Sequence, residues 1–141
     1  MSEREKTTQE AAVRSGASEE SKAIHTIKIQ PVELSFQTNE ALKMLRANIQ
    51  FSGYGLKAIA ITSCQANEGK SFISFELARS LAELGERTLY LDCDIRNSIA
   101  QARLGVTEKL PGLSDFLVGK AQIGDILCKT NLPHLHMIFA G

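Results

Sequence analysis

Residues 57–71 read KAIAITSCQANEGKS and join an apolar run to a Gly-Lys-Ser triplet. The short run at 57–62 (KAIAIT) predicts a buried strand. Residues 70–84 (KSFISFELARSLAEL) predict a helix that Gly85 closes at its C-terminal end. The residues of this helix expected to face inward are Ile73, Leu77, Leu81 and Leu84. A loop between a strand and a helix is the context that phosphate binding requires, so this stretch predicts a phosphate-binding loop.

A second strand is predicted at 87–91 (RTLYL), directly after that helix. The strand–helix–strand unit implies a parallel pair of strands with a right-handed crossover. Residues 98–105 and 113–130 show short helical patterns, and residues 135–139 (LHMIF) predict a third strand. The predicted fold class is therefore α/β, a P-loop NTPase-type parallel sheet flanked by helices that stops after the third core strand.

The N-terminal region divides into a polar tail and the start of the folded domain. Residues 1–23 are nearly free of large apolar side chains and predict disorder, which leaves residues 24–141 as the domain. Residues 25–32 (HTIKIQPV) predict a short edge strand, because Pro31 lacks the N–H that a central strand needs. A helix is predicted at 39–51, capped by Thr38 or Asn39. Its expected apolar stripe consists of Leu42, Leu45 and Ile49.

Composition excludes several classes of protein. The 141 residues suffice for one domain. Lys+Arg equals Asp+Glu, so the formal net charge is zero and does not favour binding to nucleic acid or to an anionic membrane. The three cysteines include no CxxC pair, which argues against a disulfide framework or zinc site and favours a reducing compartment. Cys93 is expected to face the core. Neither a membrane-spanning run nor a secretory signal is predicted.

The predicted phosphate-binding loop supplies one set of candidate residues. Backbone N–H groups of the loop and of the following helix can cradle phosphate oxygens. The Lys70 ammonium would reach the β- and γ-phosphates, and the Ser71 hydroxyl would bind Mg²⁺. Cys64 stands where such loops usually have their first glycine. The candidate nucleotide-binding residues are Gln65, Ala66, Asn67, Glu68, Gly69, Lys70, Ser71 and Phe72.

A pair of aspartates follows the second predicted strand. Asp92 and Asp94 are two positions apart, so a continuing strand would turn both to the same side. The crossover would bring this strand end beside the phosphate-binding loop. Two carboxylates next to phosphates repel unless a cation lies between them, which favours a Mg²⁺ site. The alternative is a solvated acidic turn in which Arg96 pairs locally.

These motifs resemble those of the bacterial tyrosine kinases (BY-kinases). The GKS at 69–71 and the DxDxR at 92–96 are similar to the Walker A and Walker A′ motifs of that family. The family's ExxRxxR helix has its counterpart at 40–51, with Glu40, Lys43 and Arg46 at the motif positions. Residues 111–117 (PGLSDFL) are similar to the family's connection toward the next strand.

The resemblance implies an ATP-dependent, Mg²⁺-requiring kinase that phosphorylates itself and regulates capsular or extracellular polysaccharide synthesis and export. It implies catalytic roles for Lys70, Asp92 and Asp94, with Asp92 accepting the proton of the substrate tyrosine. Ser71 and Asp94 would hold Mg²⁺. Glu40, Lys43 and Arg46 would assemble a homo-oligomeric ring.

The partners implied are protein tyrosine substrates and a membrane-bound polysaccharide chain-length regulator that acts as activator, with no nucleic acid. The protein would be cytoplasmic and recruited to the inner face of the membrane by that partner. The family's Walker B strand and tyrosine-rich tail would follow the third strand and do not occur in these residues. Tyr90 is expected in the core.

Two other interpretations stay open. A partitioning or septum-placement ATPase shares this fold, but such proteins usually carry a second lysine early in the loop, and residues 64–68 (CQANE) contain none. A non-catalytic remnant that binds nucleotide is the other.

Overall fold

The computed structural model describes residues 24–30, 32–53 and 55–141. Within them, one sheet contains β1 (His25–Ile27), β2 (Thr88–Leu91), β3 (Cys128–Thr130) and β4 (Leu135–Ile138), in the order β1-β3-β4-β2. β1 runs parallel to β3 and β2 runs parallel to β4, whereas β3 and β4 are antiparallel. This mostly parallel open sheet with its helices confirms the predicted α/β fold class. The predicted tail at 1–23 lies outside the described residues.

The core lies where β4 meets its neighbours and the helices. Leu135, Met137 and Phe139 are at most 1% exposed, and Ile126 and Cys128 are fully buried beside them. The predicted strands at 87–91 and 135–139 are confirmed as β2 and β4. The predicted edge strand is confirmed as β1, which is shorter than expected, and Pro31 lies outside the described residues.

The predicted strand at 57–62 was wrong. These residues adopt no strand in the structure, and the Ile59 side chain is 44% exposed. A strand requires a neighbour that exchanges N–H and C=O hydrogen bonds with it, and the second edge of β2 has no paired strand in the described part of the chain. The expected parallel pair with β2 is therefore formed by β4 instead.

The end of the segment at 113–130 was also predicted incorrectly, because residues 128–130 form β3 and not a helix. The Asn131 side chain, just after β3, accepts from the Ile29 N–H at 2.7 Å and donates to the Ile29 carbonyl at 3.1 Å. These bonds tie β3 to the chain beyond β1, a long-range contact that local sequence does not show. The short helices are confirmed as α3 (Ala100–Arg103), α4 (Leu113–Leu117) and α5 (Ile123–Ile126).

The first long helix, α1 (Phe36–Ser52), begins three residues earlier than predicted. The Ser35 side chain caps it by accepting a hydrogen bond from the Thr38 N–H at 3.1 Å, so the predicted caps at Thr38 and Asn39 were wrong. Leu42 is buried as predicted, whereas Leu45 is 36% exposed. No helix of the described residues is long and apolar enough to cross a membrane.

The helix after the phosphate-binding loop, α2 (Lys70–Glu83), has the predicted bounds to within one residue. Gly85 ends it at φ 88°, with its N–H donating to Ala82 O at 2.9 Å and the Glu86 N–H donating to Leu81 O at 3.3 Å. These two bonds form a Schellman motif. Leu77 is buried as expected, but Leu84 stands at the C-cap and is 52% exposed.

Candidate nucleotide-binding site

The loop at 63–69 leads directly into the N-terminus of α2. Asn67 and Gly69 have φ values of 63° and 91°, so the chain turns twice through the left-handed region that asparagine and glycine tolerate best. The Ile73 N–H donates to the Gly69 carbonyl at 2.9 Å and forms the first hydrogen bond of the helix. The N–H groups of the first helical turn lack helical partners, which makes this end of α2 suited to anions.

The Lys70 ammonium folds back across this loop. It donates to Ser63 Oγ at 3.0 Å and to the Gln65 carbonyl at 3.2 Å. The Ser63 hydroxyl itself donates to the Gln65 carbonyl at 2.9 Å. The Lys70 ammonium is thus held over the loop by two neutral acceptors. It can leave these acceptors to bind a phosphate.

The Glu68 carboxylate shows that a loop amide is able to bind an anion. Glu68 Oε2 accepts a hydrogen bond from the Gln65 N–H at 3.1 Å. This bond is the main reason why the pKa of Glu68 lies below 4.5, with the neighbouring Ser63 hydroxyl and the Lys70 charge acting in the same direction. The carboxylate oxygen therefore accepts a hydrogen bond from an N–H group of the kind that would bind a phosphate oxygen.

The two aspartates differ in their surroundings. Asp92 is 6% exposed, whereas Asp94 lies at the surface. Asp92 Oδ1 accepts from the Asp94 N–H at 3.1 Å, and Asp92 Oδ2 accepts from the Ser98 hydroxyl in a short hydrogen bond. The prediction that both carboxylates face one side assumed a continuing strand, but β2 ends at Leu91, so strand alternation does not set their directions.

The turn after β2 is built by these carboxylates. Asp94 Oδ1 accepts from the Asn97 N–H at 3.1 Å, and the Asp92 N–H donates to Ile138 O at 2.9 Å, which anchors the turn to β4. Arg96 forms no ion pair with any described residue, so the local pairing that the solvated-turn alternative assumed does not occur. Cys93 is exposed, and its expected place in the core was wrong.

A cavity of about 160 Å³ lies between α2, β2 and α3. Ser71 and Phe72 line it from α2, Tyr90 from β2, and Arg103 from α3. The Arg103 guanidinium lies 5.6 Å from the centre of the Phe72 ring, a cation–π distance. Tyr90 is 7% exposed, as expected of a core residue, and burial raises its pKa above 10. The start of α2 and the end of β2 are therefore neighbours.

The candidate Mg²⁺ ligands suit that ion chemically. Ser71 contributes a hydroxyl oxygen and Asp94 an exposed carboxylate, and Mg²⁺ prefers oxygen ligands. No group of three or more His, Cys, Asp or Glu side chains able to hold a metal occurs among the described residues. Mg²⁺ commonly binds through one or two protein oxygens, with waters and substrate phosphates completing its shell, so two protein ligands fit.

The three residues of the predicted oligomerisation motif have partners within the chain. Glu40 and Lys43 form an exposed ion pair at 2.8 Å. Arg46 donates to Ser80 O at 3.0 Å and to Ser80 Oγ at 2.7 Å, which ties α1 to α2. Arg46 therefore has a structural role that sequence reasoning missed, since Ser80 shows no local signal.

Sequence reasoning also missed Ser63 and Ser98. Ser63 accepts from Lys70, and Ser98 donates to Asp92. Each serine lies close in sequence to a charged residue of a predicted motif, and that charged residue needs a hydrogen-bond partner. This closeness is the signal that could have identified both serines.

Comparison with known proteins shows which proteins this chain resembles. Residues 59–126 match the CobQ/CobB/MinD/ParA nucleotide binding domain. The chain is 45% identical over 105 residues to the tyrosine-protein kinase CpsD of Streptococcus agalactiae, covering 74% of this chain and 46% of that protein. It is 39% identical over 118 residues to the CpsD of Streptococcus pneumoniae, covering 82% of this chain and 52% of that protein.

A solved structure gives the same result. The kinase domain of the Escherichia coli tyrosine kinase ETK superposes with a TM-score of 0.66 at 26% identity, covering 72% of this chain and 40% of that domain's chain. Residues 59–126 are thus similar to a nucleotide-binding domain of the CobQ/CobB/MinD/ParA type. The chain as a whole is similar to bacterial tyrosine kinases, which confirms the resemblance found in the sequence. It spans about half the length of the CpsD proteins that it matches.

Proposed function

We propose that this chain is the ATP-binding part of a protein-tyrosine kinase that phosphorylates itself and regulates capsular or extracellular polysaccharide synthesis and export. The observation that carries the proposal is the buried Asp92 carboxylate just after β2, the strand whose Tyr90 lines a cavity together with Ser71 and Phe72 of α2. A carboxylate that is 6% exposed and accepts two hydrogen bonds is a fixed charge, as proton transfer from a substrate hydroxyl requires.

Nucleotide binding would use the groups that now bind one another in the loop. Phosphate oxygens would replace Glu68 Oε2 on the Gln65 N–H and would draw Lys70 away from Ser63 and Gln65. The contacts that Lys70 gives up are neutral, whereas phosphate is anionic, so the exchange favours the bound state. The loop residues 65–69, with Lys70, Ser71 and Phe72, would then surround the phosphates.

Phosphoryl transfer would depend mainly on position and charge. Asp92 would accept the tyrosine proton, and Lys70 would neutralise charge on the transferred group. Ser71 and Asp94 would hold Mg²⁺, which supplies charge neutralisation at the phosphates when bound.

Assembly and recruitment belong to the same proposal. Glu40, Lys43 and Arg46 would contribute to a homo-oligomeric ring through α1. Lys43 is half exposed and can exchange its Glu40 partner for a neighbouring copy, whereas Arg46 is held by Ser80. A membrane-bound chain-length regulator would activate the protein and bring it to the inner face of the membrane.

The test compares Lys70→Ala with Lys120→Ala, an exposed lysine in the turn between α4 and α5, in the full-length native protein. We expect Lys70→Ala to lower phosphotyrosine formation from Mg-ATP by about 10²–10³-fold, because a preorganised charge on the transition state is lost. Lys120→Ala should match the wild type. Phosphotyrosine would be quantified by mass spectrometry.

Two outcomes would replace the proposal. ATP hydrolysis without phosphotyrosine would support the partitioning-type ATPase. Neither activity, with an unchanged oligomer in Lys70→Ala, would support the non-catalytic remnant.

A further inference from the structure

We propose that Ser98 is a positioning residue that holds the Asp92 carboxylate in place for proton transfer. The inference rests on the proposed kinase function and assigns a role to a residue outside both recognised motifs. The Ser98 hydroxyl donates to Asp92 Oδ2 in a short hydrogen bond, while the Asp94 N–H donates to Oδ1 at 3.1 Å. Both carboxylate oxygens are therefore held, one by the main chain and one by the Ser98 side chain.

The backbone alone does not fix this carboxylate. The Asp92 N–H is anchored to Ile138 O at 2.9 Å, which sets the position of the main chain at the end of β2. Rotation of the side chain about that anchor is limited by the bonds to its two oxygens. Since Asp92 is 6% exposed, the loss of the Ser98 donor would leave an oxygen of a largely buried carboxylate with fewer hydrogen-bond partners, which is unfavourable.

Ser98 is itself held by the start of α3. Its Oγ accepts from the Ala100 N–H at 3.4 Å, and Ala100 is the first residue of that helix. The hydroxyl thus donates in one direction and accepts in the other, which fixes its orientation. This geometry links the proposed proton acceptor to α3, whose Arg103 lines the cavity beside Ser71.

The experiment replaces Ser98 with threonine and with valine in the full-length native protein. The two side chains have nearly the same shape, and only threonine keeps the hydroxyl. Ser98 is an exposed residue, so both variants add their methyl groups at the surface of the protein. A Thr88→Val variant, which removes a hydroxyl at the opposite end of β2, is the control.

We expect Ser98→Val to lower kcat for tyrosine phosphorylation by about 10–100-fold, as a misplaced catalytic group does, with the KM for ATP changed by less than about twofold. Ser98→Thr should stay within about threefold of the wild type, and Thr88→Val should not differ from it. An unchanged kcat in Ser98→Val, or equal losses in the threonine and valine variants, would overturn the inference.

A double mutant separates positioning from general damage. If Ser98 acts through Asp92, adding Ser98→Val to Asp92→Asn should cost less than about twofold further activity. A full additive loss would overturn the inference. Failure of the kinase proposal would look different, because the wild-type protein itself would then form no phosphotyrosine.

Discussion

The phosphate-binding loop and the acidic turn both carry charge, but they hold it in opposite ways. In the loop, Lys70 and Glu68 lie at or near the surface and bind neutral groups of the loop itself. In the turn, Asp92 is buried and is held from two sides by Asp94 and Ser98. The charged groups of the loop can exchange their present hydrogen-bond partners for a ligand. The Asp92 carboxylate in the turn is instead held in position before any ligand binds.

This contrast suits the phosphoryl transfer proposed for this chain. A binding group must release its resting partners and follow the phosphates, while a proton acceptor works best when its position is already set. The elements that follow and precede the two regions share one cavity, since Ser71 and Phe72 of α2 line it together with Tyr90 of β2.

The largest effect is expected from Asp92→Asn, which keeps the size of the side chain and removes its charge. We expect phosphotyrosine formation to fall by about 10³-fold, within the range for loss of a positioned proton acceptor. Nucleotide affinity should stay within about threefold, because Asp92 has no bond to the loop. Fluorescent ATP-analogue titration and mass spectrometry would measure the two quantities. A similar loss in both would contradict the separation of roles.

A smaller effect is expected from Gly69→Ala. Gly69 has a φ of 91°, and an added Cβ would meet no atom within 4 Å, so the cost is backbone strain and not a clash. If the free loop of the variant relieves this strain by leaving the conformation, restoring it for the nucleotide costs about 1–2 kcal/mol and should weaken binding by about tenfold. The matched control is Gly124→Ala, where a Cβ likewise meets nothing and φ is not in the left-handed region. Equal affinity in both variants would argue against the loop as the binding site.

The smallest effect concerns acidification of the loop. The pKa of Glu68 in the folded protein is lowered from the ordinary value of 4.5. Its contact with Gln65 therefore stabilises the folded state above pH 4.5, and this stabilisation is lost as the pH falls through the lowered pKa. The Gln65 amide resonance in NMR spectra should therefore titrate below pH 4.5. In Glu68→Gln that titration should be absent. A Gln65 titration that persists in this variant would mean that another group is responsible.

Much of the fold could be predicted from the sequence because its signals are local. Gly85 ends α2 through a backbone conformation that glycine favours, and β2 and β4 are short apolar runs. The loop was predicted from Gly69, Lys70 and Ser71, whose spacing is set by the need to wrap a phosphate.

The remainder depends on partners distant in sequence. The run at 57–62 has the composition of a strand but no paired neighbour in the described residues, whereas 128–130 becomes a strand by pairing with β1 and β4. The role of Ser98 depends on the chain reversing after β2 so that a hydroxyl returns to Asp92. Such contacts follow from the assembled fold, and no short-range pattern indicates them.

The central claim is that the loop exchanges its internal contacts for phosphate while the acidic turn stays fixed. A crystal structure of the full-length native protein with Mg-ADP tests it most directly. We predict that Lys70 Nζ leaves Ser63 Oγ and Gln65 O for a phosphate oxygen, with the Ser98–Asp92 hydrogen bond kept. A nucleotide bound elsewhere, or Lys70 still on Ser63 and Gln65 in the complex, would contradict the account.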